Sequence, residues 1–521
     1  MTETPICYTS VRFAIAVERS MTDPDETRLL VQKLGFSLDN VQLAAVSNAL
    51  DGWYAKARKI RPDREPVPLS TAIERAGCSP YIAGKTTQSY TIDGTVVSGF
   101  EGVRDAFTNN FIKGLERNAQ LCVVRNGERI VDLWGTNTET GQSTAPTSGY
   151  DGDTLQAVYS SGKAIESTVF AMAVDRGLCR FDDPVTKHWP EFGEHGKVIL
   201  TIADVLRHDA GLHAFHTAFS REDVLDQANP DGNMSRIIAA QAPWRWASGR
   251  YEGQIPRVYH AVSRGYVLNQ ILIRVDPDAR TIGQWMMQEL CGPLGADFFC
   301  GQHDASFAAG NLPEAKMGFR TAPDHVYRFA NATVSGMVRS ILNEPSPMEA
   351  QMARLREDAL FPLSPEVDPQ GRVTGERPNP MGFEADPGDP GSSALEITSS
   401  SSHASARGMA TIMGMLANGG QLGSTRVISE AGIETATLHP VHASDRPNGR
   451  FGMADSNFVQ SGLGVTGEHT FGWGGAGGSV IQFSPSKGIG FAYTCTGFGS
   501  GFSGDQDRVG PLVKALNGAT S

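Results

Sequence analysis

The sequence has few cysteines, seven in 521 residues. Their number is odd, and no two stand at the spacing of a zinc-binding motif, so the thiols indicate neither a metal site nor a disulfide framework. This usage is typical of a reducing compartment, where cysteine serves mainly as a small apolar side chain. No group of histidines and carboxylates has metal-ligand spacing either. We therefore expect no bound metal and no cofactor.

Long hydrophobic runs and an excess of positive charge are also missing. The apolar run near the N-terminus covers only residues 13–17 and is followed by Glu18 and Arg19, so it is too short for a membrane span and lacks a signal-peptide layout. The chain has 45 Lys and Arg against 57 Asp and Glu, a net charge of -12. This balance argues against nucleic-acid and membrane partners. We expect a cytoplasmic protein that acts on a small molecule; a homo-oligomer is left open.

A Gly-x-Ser-x-Gly motif is absent, which argues against a nucleophile elbow and leaves His208 without a partner for a catalytic triad. The chain does contain a serine three residues before a lysine, Ser160 and Lys163, followed by the apolar run 169–174 that is typical of a helix. If the helix begins near Ser160, both side chains lie on one face at a helix N-terminus, where backbone N–H groups favour a developing anion. A desolvated lysine can accept the proton that activates the serine hydroxyl.

The same Ser-x-x-Lys spacing recurs at residues 484–487. That second copy lies between two β-like runs and contains Pro485, so we predict a hairpin turn there. The spacing alone is therefore weak evidence, and the helical context distinguishes Ser160.

Strand signals stand near both ends of the region that follows residue 97. Two β-rich runs flank Asn126-Gly127, a strong hairpin signal. Two more runs flank the turn at 484–488, and helical patterns fill the middle, one of them from His403 to Leu416. This order predicts an α+β fold, in which one antiparallel sheet is assembled from both ends and flanked by helices, with a mostly helical subdomain inserted.

We divide the chain into two parts. Residues 1–96 do not share the later pattern and are predicted to be an N-terminal extension without an assigned role. Residues 97–521 form the predicted catalytic domain. Within it, the mixed part comprises about 97–160 and 395–521, and the helical part about 161–394.

Two further stretches follow the Ser160 motif in order. The first is Val258-Tyr259-His260-Ala261, before an apolar helical run; the second is the glycine-rich stretch from Phe471 to Ser479, which leads into a strand. The order of the three motifs resembles that of the serine β-lactamase and penicillin-binding-protein superfamily, whose fold is the α+β one predicted above. In detail it is similar to the family VIII carboxylesterases and the lovastatin-type acyltransferases. The resemblance covers roughly residues 97–515.

The resemblance implies roles for individual residues. It makes Ser160 the nucleophile, Lys163 its base and Tyr259 the shuttle that returns a proton to the leaving group. It forms the oxyanion hole from the backbone N–H groups of Ser160 and Ala476. It also implies a substrate-binding segment beside them, consisting of Trp473, Gly474 and Gly475. Glycine has no Cβ, so we expect positions 474 and 475 to let the backbone approach a substrate closely.

Two positions depart from the family pattern. Ala261 stands where the family has an asparagine that could orient the lysine, and Trp473 stands where it has lysine or histidine. A cation at that place pairs with the carboxylate of a penicillin, whereas an indole would strip water from the carboxylate without pairing with it. The sequence therefore predicts a serine hydrolase that cleaves neutral carboxylic esters through an acyl-enzyme on Ser160, with penicillins as poor substrates.

Several alternatives remain open. An acyltransferase would form the same acyl-enzyme and pass the acyl group to a small-molecule alcohol or amine. A β-lactamase-like or peptidase-like hydrolase would use the same residues, and a non-catalytic binding protein would keep only the fold. Tyr251 and Tyr266 compete with Tyr259 for the proton-shuttle role, Trp473 could simply cover the sheet edge, and His208 is expected to be structural.

Overall fold

The computed structural model describes part of the chain in atomic detail, namely residues 28, 39–47, 89–138, 149–213, 215, 217, 219–244, 255, 259–301, 395–437, 470–497 and 506–520. Most of the predicted extension, the predicted helical part beyond residue 301, and Tyr251 lie outside the described residues. Among the described residues, no helix combines the length and hydropathy needed to cross a bilayer.

The centre of the described structure is an antiparallel sheet of six strands. Three of its strands come from the N-terminal side: β1 (Tyr90–Val96), β2 (Asn118–Arg125) and β3 (Glu128–Asn137). The other three come from the C-terminal side: β9 (Phe471–Gly474), β10 (Val480–Ser484) and β11 (Ile489–Cys495). Strands β4 to β8 are short and belong to other sheets. Their spatial order is β1-β3-β2-β11-β10-β9. Because β2 pairs with β11, the N-terminal and C-terminal strands meet in the middle of the sheet. The predicted α+β fold, with one sheet assembled from both ends, is confirmed.

Both predicted hairpins are present. Asn126 and Gly127 join β2 to β3 with φ angles of 51° and 83°, the left-handed conformation that a tight two-residue turn requires. Residues 485–488 form the turn between β10 and β11. The second Ser-x-x-Lys copy therefore lies in a hairpin, as predicted.

The sheet begins earlier than the sequence patterns indicate. Strand β1 lies inside the predicted extension 1–96, and it pairs with β3 from Tyr90↔Asn137 to Val96↔Val131. The strand contains Gly94, whose φ is 99° and where a Cβ would overlap the Asp132 carbonyl. An Asp-Gly pair inside a strand imitates a turn in the sequence, which is why this strand was not predicted.

Helices cover both faces of the sheet. On one face α1 (Glu101–Ile112) packs against the C-terminal helix, and apolar residues of both helices form one cluster with side chains of the strands, such as Phe107, Val123, Phe491 and Leu512. The other face carries the larger apolar cluster and further helices. Those helices are α2 (Gly162–Asp175), α3 (Ile202–Leu206), α4 (Arg221–Leu225), α5 (Asn233–Ala240), α6 (Ser263–Val275), α7 (Ile282–Met286), α8 (Gly292–Leu294), α9 (Ala406–Ala417) and α10 (Glu430–Thr437), followed by the C-terminal helix α11 (Gln506–Thr520).

Smaller elements complete the described structure. Three short strands, β4 (Gln156–Ala157), β5 (Phe298–Cys300) and β6 (Ser402–Ala404), form a second sheet, and β7 (Gln421–Leu422) pairs with β8 (Thr425–Arg426). The 3₁₀ turns are Tyr159–Ser161, Val185–Lys187 and Pro190–Gly196, and a π turn covers Met287–Cys291.

Helix α9 begins later than predicted. The helical pattern runs from His403, but residues 402–404 pair as β6 and the helix starts at Ala406. The Ser405 hydroxyl accepts a hydrogen bond from the Gly408 backbone N–H, which caps the helix at that point.

Helix α2 lies in the core and carries the Ser-x-x-Lys motif at its start. Its residues from Gly162 to Ala173 are all buried, as expected for a helix that is surrounded by other elements. The fold thus places Lys163 in the interior and leaves Ser160, in the preceding turn, partly exposed.

Candidate active site

The turn that precedes α2 separates two adjacent serines. Tyr159 has a φ of 47°, an uncommon conformation for a non-glycine residue that often occurs at functional sites. Ser160 is partly exposed and its Oγ accepts a hydrogen bond from the Tyr259 hydroxyl at 2.7 Å. Ser161 is fully buried, and its Oγ lies 3.0 Å from the Ser479 Oγ. Of the two, Ser160 is the serine that faces the predicted catalytic residues.

Lys163 is fully buried behind Ser160. Its Nζ lies 3.4 Å from the Ser160 Oγ, and it donates hydrogen bonds to the backbone carbonyls of Ala261 at 2.6 Å and Ser399 at 3.0 Å. The two carbonyls occupy two of the tetrahedral positions around the nitrogen, so in the neutral amine the lone pair is free to point toward Ser160.

Burial is the main cause of a lowered pKa of the Lys163 ammonium, because it removes water from the charged form. Tyr259 and Glu166 oppose this shift, while Arg264 adds to it. The site therefore favours the neutral amine more than bulk water does. A neutral, buried amine beside a hydroxyl is suited to accept its proton.

At position 261, Lys163 contacts a backbone carbonyl rather than a side-chain amide. The sequence indicated that an orienting amide was missing at position 261, but the backbone carbonyl of Ala261 takes one N–H of Lys163. Ser399 supplies the second acceptor in the same way. Sequence reasoning missed Ser399, since a carbonyl contact 236 positions away leaves no signal in residue type.

Tyr259 connects the nucleophile segment to the third motif. Its ring lies 4.9 Å from the Lys163 Nζ and is stacked on the Trp473 indole, with 5.9 Å between centroids and an interplanar angle of 15°. The residue is 40% exposed. Tyr266, one of the predicted competitors, is fully buried in the large apolar cluster.

Two histidines hold the backbone next to Tyr259. The backbone N–H of His260 donates to the His208 Nδ1 at 3.0 Å, and the His260 Nε2 accepts from the Leu212 backbone N–H at 2.9 Å. The His208 ring also lies 5.0 Å from the Tyr259 ring and 5.4 Å from the Trp473 ring. These contacts fit the structural role expected for His208.

The third motif packs directly on the nucleophile turn. A Cβ at Gly475 would overlap the Val158 carbonyl oxygen, so only glycine allows this approach. The Ser479 hydroxyl donates to the same carbonyl at 2.7 Å. Ala476 lies between these two contacts, in the turn from β9 to β10, and is partly exposed.

Gly475 thus makes a contact inside the protein that the sequence did not predict. The sequence suggested that Gly474 and Gly475 let the backbone approach a substrate. In the structure both are buried, Gly474 pairs with Val480 in the sheet, and Gly475 approaches the protein's own carbonyl at Val158.

Trp473 lies inside the site rather than on its open surface. The indole is 2% exposed and is flanked by the rings of Tyr259 and His208 and by the Arg264 guanidinium, 5.7 Å from the indole. The structure brings Trp473 together with the catalytic candidates, and its direct contact with substrate stays a prediction.

The described residues contain no group of three or more histidine, cysteine or carboxylate side chains that could hold a metal ion. The described site brings together a serine hydroxyl, a buried amine and a tyrosine hydroxyl.

Comparison with known proteins agrees with this arrangement. A sequence model of the Beta-lactamase family matches residues 107–513. The esterase/beta-lactamase LipL of Mycobacterium tuberculosis is 27% identical over 406 residues, which is 75% of this chain and 80% of that protein.

Solved structures of related proteins are also similar to this chain. A penicillin-binding protein homologue from Caulobacter crescentus is 25% identical with a TM-score of 0.59, covering 82% of this chain and 100% of the other. A family VIII carboxylesterase has a TM-score of 0.58 at 24% identity, with the same coverage, and supports the fold. The resemblance predicted from the motifs is confirmed. The chain belongs to the Beta-lactamase family and is a serine hydrolase of the β-lactamase and esterase superfamily.

Proposed function

We propose that the protein is a carboxylesterase that forms a covalent acyl-enzyme on Ser160. The observation that carries the proposal is the position of the Ser160 hydroxyl, 2.7 Å from the Tyr259 hydroxyl and 3.4 Å from the Nζ of the buried Lys163. A nucleophile with a base and a second proton carrier in reach is the arrangement that acyl transfer needs.

In the acylation step, the Ser160 Oγ attacks the ester carbonyl carbon while its proton passes to the neutral Lys163 Nζ. The resting 3.4 Å separation is long for proton transfer, and such contacts shorten when a substrate is bound. The carbonyl oxygen becomes an oxyanion, for which we propose the backbone N–H groups of Ser160 and Ala476 as donors. The packing of Gly475 and Ser479 on Val158 supports the placement of Ala476 beside the nucleophile turn.

Collapse of the tetrahedral intermediate breaks the bond to the alcohol oxygen. Tyr259 gives its hydroxyl proton to that oxygen and recovers a proton from the Lys163 ammonium, whose Nζ lies 4.9 Å from the tyrosine ring. In the second half of the cycle, a water molecule attacks the acyl carbon and gives its proton to Lys163 through the same route. The bond between the acyl carbon and the Ser160 Oγ then breaks, and Lys163 returns the proton to the Oγ. The products are the free acid and the alcohol, and Ser160 is regenerated.

Neutral esters are the substrate class that the third motif supports. Trp473 replaces the family cation there, and the nearby guanidinium of Arg264 is fully buried and paired with Glu166. Among the described residues of the third motif, no positively charged side chain is thus available to pair with a penicillin carboxylate. Since the printed name of LipL includes both activities, a β-lactam is the informative competing substrate.

The test compares turnover of a neutral aryl ester and a penicillin by the unmodified protein, Ser160→Ala and Ser484→Ala. We expect ester hydrolysis in the unmodified protein and in Ser484→Ala, because Ser484 lies in the β10–β11 hairpin. Ser160→Ala should lose activity by several orders of magnitude, roughly 10⁴-fold or more.

Other results would change the proposal. A larger kcat/KM for the penicillin than for the ester would favour a β-lactamase. Faster release of the acyl group when a small alcohol is added, with an ester of that alcohol as product, would favour an acyltransferase. Full ester turnover by Ser160→Ala would exclude the assigned nucleophile.

A further inference from the structure

A fully buried ion pair lies behind Lys163. Glu166 stands on α2 and Arg264 on α6, and both side chains are 0% exposed. The Arg264 Nε lies 3.0 Å from the Glu166 Oε2, at ion-pair distance although off the line of a hydrogen bond. No motif in the sequence identified this pair.

The arginine contacts the helix that carries the base. Its Nη2 donates to the backbone carbonyl of Lys163 at 3.0 Å and to the Ser167 Oγ at 2.7 Å. Its guanidinium carbon lies 5.7 Å from the Trp473 ring centroid, within the range of a cation–π contact. Arg264 thus joins α2 to α6 and to the third motif.

The carboxylate contacts the loop that supplies an acceptor for Lys163. The Glu166 Oε1 accepts hydrogen bonds from the Thr398 Oγ1 at 2.6 Å and from the Ser399 Oγ at 2.7 Å. The carbonyl of Ser399 is one of the two that hold the Lys163 Nζ. Helix α6, which contains Arg264, begins two residues after Ala261, whose carbonyl is the other acceptor of a Lys163 hydrogen bond.

We infer that the Glu166–Arg264 ion pair is a positioning unit, which holds Lys163 and its two carbonyl acceptors in the geometry needed to receive the Ser160 proton. The inference rests on the proposed function, since it assigns Lys163 the role of base. Neither Glu166 nor Arg264 touches the reacting atoms; both act through Lys163.

The position of this pair beside Lys163 gives it a role beyond stability. Taking two charges out of water is costly, and well-packed apolar residues of similar volume often serve a core as well or better. The pair is instead placed where its two charges act on the base in opposite directions: Glu166 raises the pKa of Lys163 and Arg264 lowers it. Among the described residues, the charged and titratable groups that shift the Lys163 pKa are Tyr259, Glu166 and Arg264.

The test uses Glu166→Gln, Arg264→Gln and the double variant, with kcat/KM for a neutral aryl ester measured against pH. Activity rises with pH as Lys163 loses its proton. Removal of the carboxylate lowers the Lys163 pKa further, so the acid limb of Glu166→Gln should move to lower pH. Removal of the guanidinium raises the Lys163 pKa, so the acid limb of the pH profile of Arg264→Gln should move to higher pH.

The rates should also fall. We expect kcat at the optimum to drop by about 10- to 100-fold in each single variant, because a small misplacement of a reacting group costs this much. The double variant leaves no unpaired charge in the core, so it should fold even if a single variant does not, and its acid limb should return close to that of the unmodified protein.

A matched control exists in the second fully buried Arg–Glu pair of the described structure. The Arg508 Nη1 lies 3.2 Å from the Glu116 Oε2, with exposures of 2% and 0%, and neither residue is among the groups that act on the Lys163 charge. Glu116→Gln should reduce stability while leaving the acid limb in place.

A second readout does not depend on activity. In protein labelled with ¹³C-lysine, the Lys163 side-chain signal is the one that disappears in Lys163→Met. Its titration midpoint should move down in Glu166→Gln and up in Arg264→Gln. Midpoints that stay fixed, or that move in the same direction, would overturn the inference. An acyl adduct that survives in Ser160→Ala would overturn the proposed function, while the opposite shifts of the Lys163 midpoint would still show that the ion pair acts on Lys163.

Discussion

At the scale of single residues, the central feature is a lysine whose side chain is buried from solvent and still hydrogen-bonded. Lys163 donates to two backbone carbonyls and faces a serine. Burial lowers its pKa, so the amine is available as a base at a pH where an exposed lysine remains charged. Lys163 and Tyr259 both reach the Ser160 Oγ, which indicates one proton-transfer unit.

This unit predicts a specific pattern of mutant rates. Tyr259→Phe removes the hydroxyl but keeps the ring stacked on Trp473, and we expect kcat to fall about 10²- to 10⁴-fold, the usual contribution of a general acid or base. Lys163→Met should cost a similar factor. The double variant should be little slower than either single one, because residues that act as a unit are not additive. Losses that multiply in the double variant would show that the two residues act independently; pre-steady-state acylation rates measure this.

Single residues also show how much of the candidate site could be predicted from the sequence. Ser160, Lys163 and Tyr259 were predicted from side-chain chemistry and motif order, and the structure brings their functional atoms together. The acceptors of Lys163 are main-chain carbonyls of Ala261 and Ser399. Main-chain atoms are the same in every residue, so no pattern of residue types could identify them.

At the scale of elements, a histidine link joins the end of α3 to the start of α6. His208 follows α3 and has a φ of 67°. Its Nδ1 accepts the His260 backbone N–H, one residue after Tyr259. The link therefore sets the position of the backbone that carries the Tyr259 hydroxyl.

This link predicts an effect on both stability and rate. His208→Ala leaves the buried His260 N–H without its acceptor, which should lower the free energy of unfolding by about 1–3 kcal/mol, and should lower kcat through displacement of Tyr259. His208→Asn places an amide oxygen near the position of Nδ1 and should restore part of both. Urea denaturation and aryl-ester kinetics check this; equal losses in both variants would show that ring volume, not the acceptor, is what matters.

Elements differ in how well the sequence predicts them. The β2–β3 hairpin was predicted because Asn126-Gly127 has a specific turn chemistry, and φ angles of 51° and 83° confirm it. Strand β1 was missed because Gly94 interrupts its pattern, although the sheet needs a residue without Cβ beside the Asp132 carbonyl. The start of α9 was misplaced because residues 402–404 pair as a strand whose partners lie far away in the chain.

At the scale of the whole molecule, the C-terminal helix is tied to the third motif. The Arg508 Nη2 on α11 donates to the Gly477 carbonyl at 2.9 Å, and its Nη1 contacts Glu116, which also accepts from the Tyr493 hydroxyl. One buried arginine thus connects both ends of the described domain to the turn that contains Ala476.

This connection predicts a large loss of stability in Arg508→Met. The change leaves the Glu116 carboxylate buried without its cation, which should cost about 3–5 kcal/mol of unfolding free energy. Arg176→Met breaks an ion pair with Glu289 in which the two side chains are 36% and 29% exposed, and should cost only about 1 kcal/mol or less. Chemical denaturation of both variants tests this; equal losses would contradict the role given to Arg508.

The fold as a whole was predictable because three motifs and the strands around them follow one order along the chain, which residues 107–513 share with the Beta-lactamase family. The role of residues 1–89 was not predictable, because the sequence shows no catalytic or binding motif there. The buried ion pairs were also beyond sequence reasoning, because charged residues on a helix are normally read as exposed and only packing shows otherwise.

The central claim, that Ser160 becomes acylated, is tested most directly by mass spectrometry after treatment with a fluorophosphonate, which phosphonylates activated serines and stays attached. The account predicts a single adduct on the unmodified protein, mapped to the peptide that contains Ser160, the same adduct on Ser484→Ala, and none on Ser160→Ala. An adduct on another serine, or one that persists in Ser160→Ala, would contradict it.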